Sequence, residues 1–166
     1  MVFKVKKHNN ILYNILLSLS RNIFFYKKIK LKDTFQTRIY LMFLHFSIFL
    51  IVAKDKGSKF DQNHYDNLFF SIENNLRELG FGDVSVNKKM KELNKILYDI
   101  LLKIQPNFNK KSYSLNHDLI IKYFDEFKSK EESNFQDFEG YFLNFYNYCS
   151  KLPLDNMLKQ SINFKN

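Results

Sequence analysis

The sequence predicts an all-α protein, a single compact bundle of about six helices joined by short loops. Three observations carry this. Only 4 Gly and 2 Pro occur in 166 residues, too few for the many turns of sandwiches, barrels or doubly wound sheets. Hydrophobic residues make up 45%, enough for a globular core and too many for a disordered chain. Apolar residues also recur at spacings of three and four through most of the sequence, the period of a helix buried on one side. The length suits one domain. We place it at residues 9–166, after a basic flexible arm at residues 1–8.

Each helix has its own signals. Helix 1 is predicted from about Asn10 to Tyr26, with Leu12, Leu16, Leu19 and Ile23 on one face. Lys27 to Lys32 form a basic connector. Helix 2 starts at Asp33, a good N-cap with Gln36 in the capping-box position, and runs to about Lys54. It is apolar nearly all round, as a central helix must be, and Gly57 and Ser58 end it. Helix 3 is expected from about Asp61 to Leu79, with a stripe of Tyr65, Leu68, Phe69, Ile72, Leu76 and Leu79. Gly80 supplies a left-handed stop, and Phe81-Gly82-Asp83 reads as a tight turn. Helix 4 is capped by Asp83 or Ser85, faces inward with Val86, Met90, Leu93, Leu97, Leu101 and Ile104, and stops at Pro106. A polar loop, Asn107 to Ser112, leads to helix 5 at about Asn116 to Lys128, with Ile120, Tyr123, Phe124 and Phe127 on one side. Ser133 and Gln136 form a capping box for helix 6, whose stripe is Phe138, Phe142, Phe145, Cys149 and Leu152. Pro153 opens a short last helix that ends near Ile162 to Phe164.

Two segments invite a membrane reading. The basic start and the apolar stretch Ile11 to Leu19 resemble a signal peptide, but no small-residue cleavage site follows, and Asn14 and Arg21 interrupt the segment. The uncharged run Ile39 to Ala53 spans about 22 Å as a helix, short of the ~30 Å hydrocarbon core, so a buried core helix is the expectation.

Charge is unevenly placed. Lys outnumbers Arg 23 to 3 and Ala occurs once, the mark of an AT-rich coding sequence, so lysine richness alone says little. Its location says more. Residues 1–32 hold Lys4, Lys6, Lys7, Arg21, Lys27, Lys28, Lys30 and Lys32 and no acid, which is +8 of the total +9. Lys27, Lys28, Lys30 and Lys32 are therefore a candidate basic docking surface. On charge alone, this would suit a nucleic-acid, ribosome-binding or membrane-surface module.

Catalytic patterns are missing from the sequence. Gly80 and Gly82 are too few for a phosphate loop, and neither Cys-x-x-Cys nor His-Glu-x-x-His occurs. His8, His45, His64 and His117 are scattered. We expect no enzyme, no cofactor, no metal and no small-molecule substrate. The single cysteine excludes an internal disulfide and suits a reducing compartment. Cys149, on an aromatic stripe, reads as a buried hydrophobe. His45 reads as a core histidine hydrogen-bonded to a polar neighbour, with a ligand or proton-transfer role as the alternative. Glu131 and Glu132 read as solvated. Phe24, Phe25 and Tyr26 before Lys27 come nearest to a base-stacking platform.

The three arginines stand out in a chain that drifts toward lysine. Guanidinium binds carboxylates in a planar fork that lysine cannot reproduce. Arg38 lies near the start of the most apolar helix, and Arg77 follows Glu73 by four residues. The expectation is that at least one of the two is largely buried and bonded to a carboxylate or to helix-end carbonyls, with Glu73, Glu78 and Asp83 as the leading partners.

Leu76-Arg77-Glu78-Leu79-Gly80-Phe81-Gly82-Asp83, followed by Val86, Lys88, Met90 and Lys91, resembles the signature of the ubiquinol–cytochrome c chaperone family. Leu12-Tyr13, Arg21, Phe25-Tyr26, Asp33-Thr34, Arg38 and Leu44-His45 fall in the family's order and spacing. Leu152-Pro153-Leu154 and Ile162 to Phe164 fit a weaker tail pattern. The sequence departs from the family at Asn87, where proline is usual, at Ser71, which replaces an acid, and at Thr37, which replaces a glycine. The resemblance implies a bacterial assembly factor for cytochrome b and respiratory complex III, in the cytoplasm at the inner face of the plasma membrane. Its implied partners are newly made cytochrome b, the ribosome, a small partner subunit and the anionic membrane surface. It also groups Arg21, Arg38, His45, Glu73, Arg77, Glu78, Gly80, Gly82 and Asp83 as a structural network. Phe81, Lys88 and Lys91 are then candidates for contact with client or partner.

Overall fold

The computed structural model describes residues 11–108 and 115–166. In it α1 (Ile11–Ser20) buries Leu12, Ile15, Leu16 and Leu19 but stops short of Tyr26. The reason is local. Asn22 Oδ1 accepts the Phe24 N–H at 3.0 Å, a side-chain bond that competes with helix propagation. Tyr26 then donates its hydroxyl to the Ser20 carbonyl at 2.6 Å, satisfying an acceptor that the helix end leaves open. The chain continues as a π-helical turn, Phe24–Lys28. Phe25 enters the core and Ile23 faces solvent, so Ile23 does not anchor helix 1 as its spacing suggested. Lys30 adopts φ 70°, and Ile29 and Leu31 then return to the core.

α2 (Phe35–Asp55) is buried along almost its whole length, packed by α1, α4 and α6. Its N-cap is Thr34 and not Asp33: Thr34 Oγ1 accepts the Thr37 N–H at 3.1 Å. Asp33 is instead taken by Arg38, and Gln36 bonds Tyr40, so no capping box forms. The helix is long and apolar enough to cross a membrane, with a mean hydropathy of 1.6, but 78% of that window lies inside the fold. It is the core helix that its sequence implied.

α3 (Gln62–Glu78) is capped by Asp61, which accepts the Asn63 N–H at 3.0 Å. Leu68, Phe69, Ile72 and Leu76 are buried and Tyr65 is half-buried. Leu79, expected to complete this stripe, lies past the helix and is 59% exposed. Gly80 adopts φ +95°, the left-handed stop. α4 (Asp83–Phe108) runs through Pro106 instead of ending there; a proline in the last turn removes a single bond to the preceding one. Val86, Leu93, Leu97, Ile100 and Ile104 face inward.

α5 (His117–Tyr123) is capped by Asn116, which accepts the Leu119 N–H at 3.1 Å. It ends before Lys128 because Phe124 leaves helical geometry, and this turns Phe124 and Phe127 into the core. α6 (Ser133–Ser150) begins at Glu132 without a side-chain cap, so the Ser133–Gln136 box does not form. α6 supplies Phe138, Tyr141, Phe142, Phe145 and Cys149 to the core, while Leu152 beyond its end is half-buried. Pro153 leads into a 3-10 turn, Leu154–Asn156, and α7 (Met157–Ser161), which packs on α1 and α6. The structure is thus all-α, with seven helices and no strand among the described residues. The arm at residues 1–8, with Lys4, Lys6 and Lys7, and the loop at residues 109–114 lie outside the described residues.

Candidate functional site

An apolar groove of about 480 Å³ opens between the start of α2, the end of α3 and the first half of α4. Phe35, Ile39 and Tyr40 come from α2, Leu76 from the end of α3 and Leu79 from just past it. Phe81, from the tight turn, and Leu93 and Ile96, from α4, complete the apolar lining. Polar groups enter at the margin: Thr34 and Gln36 on one side, Lys89 and Glu92 on the other. Lys89 Nζ sits 4.7 Å from the centre of the Phe81 ring, a cation–π contact that positions the ring at the rim. The local cause is the Gly80 stop. It releases the chain from α3 one residue after Leu79, so the Phe81 N–H returns to the Leu76 carbonyl at 3.2 Å and both large side chains stay outside the core. Gly82, by contrast, has an ordinary φ and open space where a Cβ would sit.

The arginines are paired but not buried, which corrects the expectation that one would be largely buried. Arg38 forks onto Asp33, Nε to Oδ1 at 2.8 Å and Nη2 to Oδ2 at 2.9 Å, with its side chain 34% exposed. Arg77 reaches Glu73 at 3.0 Å and Asp83 at 3.4 Å, with its side chain 42% exposed. Arg77 thus ties the end of α3 to the first residue of α4 across the tight turn. Glu73 and Asp83 were foreseen as partners; Asp33 was not, and its position just before α2 was the signal. Glu78 is exposed beside this cluster and shares no hydrogen bond with it, and Arg21 is exposed at the end of α1. Five of the nine network residues therefore fall into three separate units: Arg77 with Glu73 and Asp83, Arg38 with Asp33 from outside the nine, and His45 in the core.

His45 is fully buried at the middle of α2. Its Nδ1 lies 2.7 Å from the Leu41 carbonyl and its Nε2 2.9 Å from the Tyr141 hydroxyl. A carbonyl only accepts, so Nδ1 carries the proton and Nε2 accepts from Tyr141. Burial among Phe25, Phe142 and Phe145 disfavours the imidazolium and lowers the pKa to about 4. This is the hydrogen-bonded core histidine that the sequence suggested. Cys149 is likewise buried, with burial pushing its thiol up to about 12, so it packs as a small hydrophobe. Among the described residues, no group of three or more His, Cys, Asp or Glu could hold a metal ion.

Lys27, Lys28, Lys30 and Lys32 are all exposed, as expected of the basic connector. Acids stand near two of them: Lys28 is 3.9 Å from Asp137, and Lys32 is 4.0 Å from Asp125. Glu126 also accepts the Lys32 backbone N–H at 2.9 Å. Lys88 and Lys91 are exposed on α4 but do not line the groove; Lys89 does. Helical spacing to Glu92, Leu93 and Ile96 would have pointed to Lys89. Sequence reasoning also missed Asp99, which pins α4 to α5. It accepts from Lys103 at 2.8 Å, from Lys122 at 2.9 Å and from the Tyr123 hydroxyl. Burial works against its charge, but these donors hold its carboxyl below the usual carboxylate range.

The fold and the groove define an all-α protein with an open apolar face beside a paired-charge turn. Residues 27–164 match the family model described as Ubiquinol-cytochrome C chaperone. This is most of the chain, and the protein belongs to the ubiquinol–cytochrome c chaperone family. The matched span begins at the basic connector and leaves out Leu12-Tyr13 on α1, Arg21 just past it, and Phe25-Tyr26. In comparisons with curated proteins and with solved structures, nothing matches the chain.

Proposed function

We propose that this protein is an assembly chaperone for cytochrome b. It binds the newly made client at the inner face of the plasma membrane and passes it into respiratory complex III. One observation supports this above the others: the turn that carries the family signature, Leu79 to Asp83, is also the lip of the apolar groove. Burying one large apolar side chain contributes roughly 1.5–3 kcal/mol. A client segment seating three such side chains in the groove would gain roughly 4.5–9 kcal/mol before the cost of association is subtracted, so it would be held weakly and reversibly. That strength shields an apolar helix before it packs and still allows release. Lys27, Lys28, Lys30 and Lys32 would add an electrostatic contact with ribosomal RNA or with a small partner subunit. The work is binding; no bond is made or broken.

Deleting the gene should deplete assembled complex III and its cytochrome b while other respiratory complexes persist. Leu79→Ser and Phe81→Ala variants, with unchanged circular dichroism, should fail to restore them. A deletion strain with normal complex III would overturn the assembly role. Full rescue by both variants would remove the groove from it.

A further inference from the structure

We propose that the outer face of α4 docks on an anionic lipid bilayer. Val84, Lys88, Lys91, Lys95, Tyr98 and Leu102 follow one another at spacings of four and three. At roughly 100° per residue they fall within about 80° of arc and extend about 27 Å along the helix. All six are exposed, Val84 by 86%, Tyr98 by 56% and Leu102 by 74%. The arc contains no acid. Glu92 and Asp99 flank it on one side, and Asp99 is already engaged by Lys103 and Lys122. Among the described residues, no ion pair takes Lys88, Lys91 or Lys95, whereas the connector lysines Lys28 and Lys32 stand near Asp137 and Asp125.

The pattern selects its partner by chemistry. Three unpaired ammonium groups attract a negative surface. A nucleic acid would match that charge, but it offers nothing to an exposed valine and an exposed leucine at the two ends of the stripe, since aliphatic side chains do not stack on bases as aromatic ones do. A bilayer takes both: lysines meet phosphate headgroups while Val84 and Leu102 enter the acyl boundary and Tyr98 sits at headgroup level. The groove residues Lys89, Glu92, Leu93 and Ile96 occupy the neighbouring face of the same helix, so docking would set the groove beside the membrane. The inference stands on the α4 surface alone and survives if the chaperone reading fails.

The test uses the full chain and vesicles of phosphatidylcholine, with or without about one third phosphatidylglycerol. Each lysine near an anionic surface contributes enough attraction that replacing Lys88, Lys91 and Lys95 together by Gln should lower partitioning roughly a hundredfold. Replacing Lys27, Lys28 and Lys30 by Gln should lower it by less than about fivefold. Because the chain has no Trp, Leu102→Trp places a single reporter at the end of the stripe. Its emission should shift to the blue with the anionic vesicles and stay unchanged with neutral ones. The proposal is overturned if the α4 triple variant binds like the unmodified chain or if the connector triple carries the loss. It is also overturned if Leu102→Trp shows no shift, or if the protein ignores both vesicles and binds poly(U) RNA.

Discussion

The middle and the start of α2 sit in opposite surroundings. Its middle is enclosed by aromatic rings: Phe142 lies 4.9 Å from the His45 ring and 5.0 Å from both Phe138 and Tyr141. Its first two turns, with Phe35, Ile39 and Tyr40, border an open groove whose rim residues Leu79 and Phe81 stay in water. Similar residue types are used at both places. The enclosed region satisfies every apolar surface internally, and the open region leaves surface for a second molecule. Large side chains therefore carry stability in one place and recognition in the other.

The sharpest break between them is truncation of one ring in each region. Phe142→Ala should cost about 3–5 kcal/mol in chemical denaturation, because it leaves a cavity among rigid neighbours. Phe81→Ala should cost less than about 1 kcal/mol, because water already reaches that ring. Equal losses would erase the distinction.

The second effect is pH dependence from the enclosed region. His45 has a folded pKa of about 4 against 6.5 for the free side chain. Between those values the unfolded chain binds a proton that the folded chain refuses. The contribution is complete above pH 6.5 and is lost as pH falls toward 4. Its size is about 3 kcal/mol, from about 1.4 kcal/mol per unit. Thermal melts of His45→Gln, which keeps a donor and an acceptor, should show a flatter profile in that window. An unchanged profile would move the pH sensitivity elsewhere.

Smaller effects belong to the surface pairs of the open region. Arg38→Lys and Arg77→Lys should each cost less than about 1 kcal/mol, because solvent screens both guanidinium groups. A larger loss would mean that the pairs hold the groove's shape. Lys30, outside both regions, is held at positive φ. Lys30→Gly should stabilise by about 0.5 kcal/mol, the relief of left-handed strain less the extra freedom of the unfolded glycine.

The enclosed region was largely legible in the sequence. Repeating apolar spacing identified α3, α4 and α6, with the faces carrying Leu76, Leu97 and Phe145, and an apolar run on all sides identified α2. What escaped were places where a polar side chain chose between local options. Asn22 ended α1 by bonding Phe24, and Asp33 went to Arg38 and left the cap to Thr34. The same spacing misplaced Leu79, because a helix that stops at Glu78 cannot carry the stripe one residue further. The signature turn was visible as a motif, but its place at a groove depends on α2 lying across from it, a long-range fact that no local pattern holds.

The Tyr141 hydroxyl meets His45 across 96 residues of sequence. At a synthesis rate of about 5–20 residues per second, α2 leaves the ribosome roughly 5–20 s before the helix that covers it. During that interval a 21-residue segment with membrane-like hydropathy lacks α6, the helix that encloses its middle. Its buried polar atoms then acquire a second meaning. The His45 imidazole and the Ser47 hydroxyl, which bonds back to the Phe43 carbonyl at 2.7 Å, raise the cost of entering hydrocarbon. The same two side chains that are satisfied inside the finished fold make hydrocarbon a costlier destination for the unfinished chain.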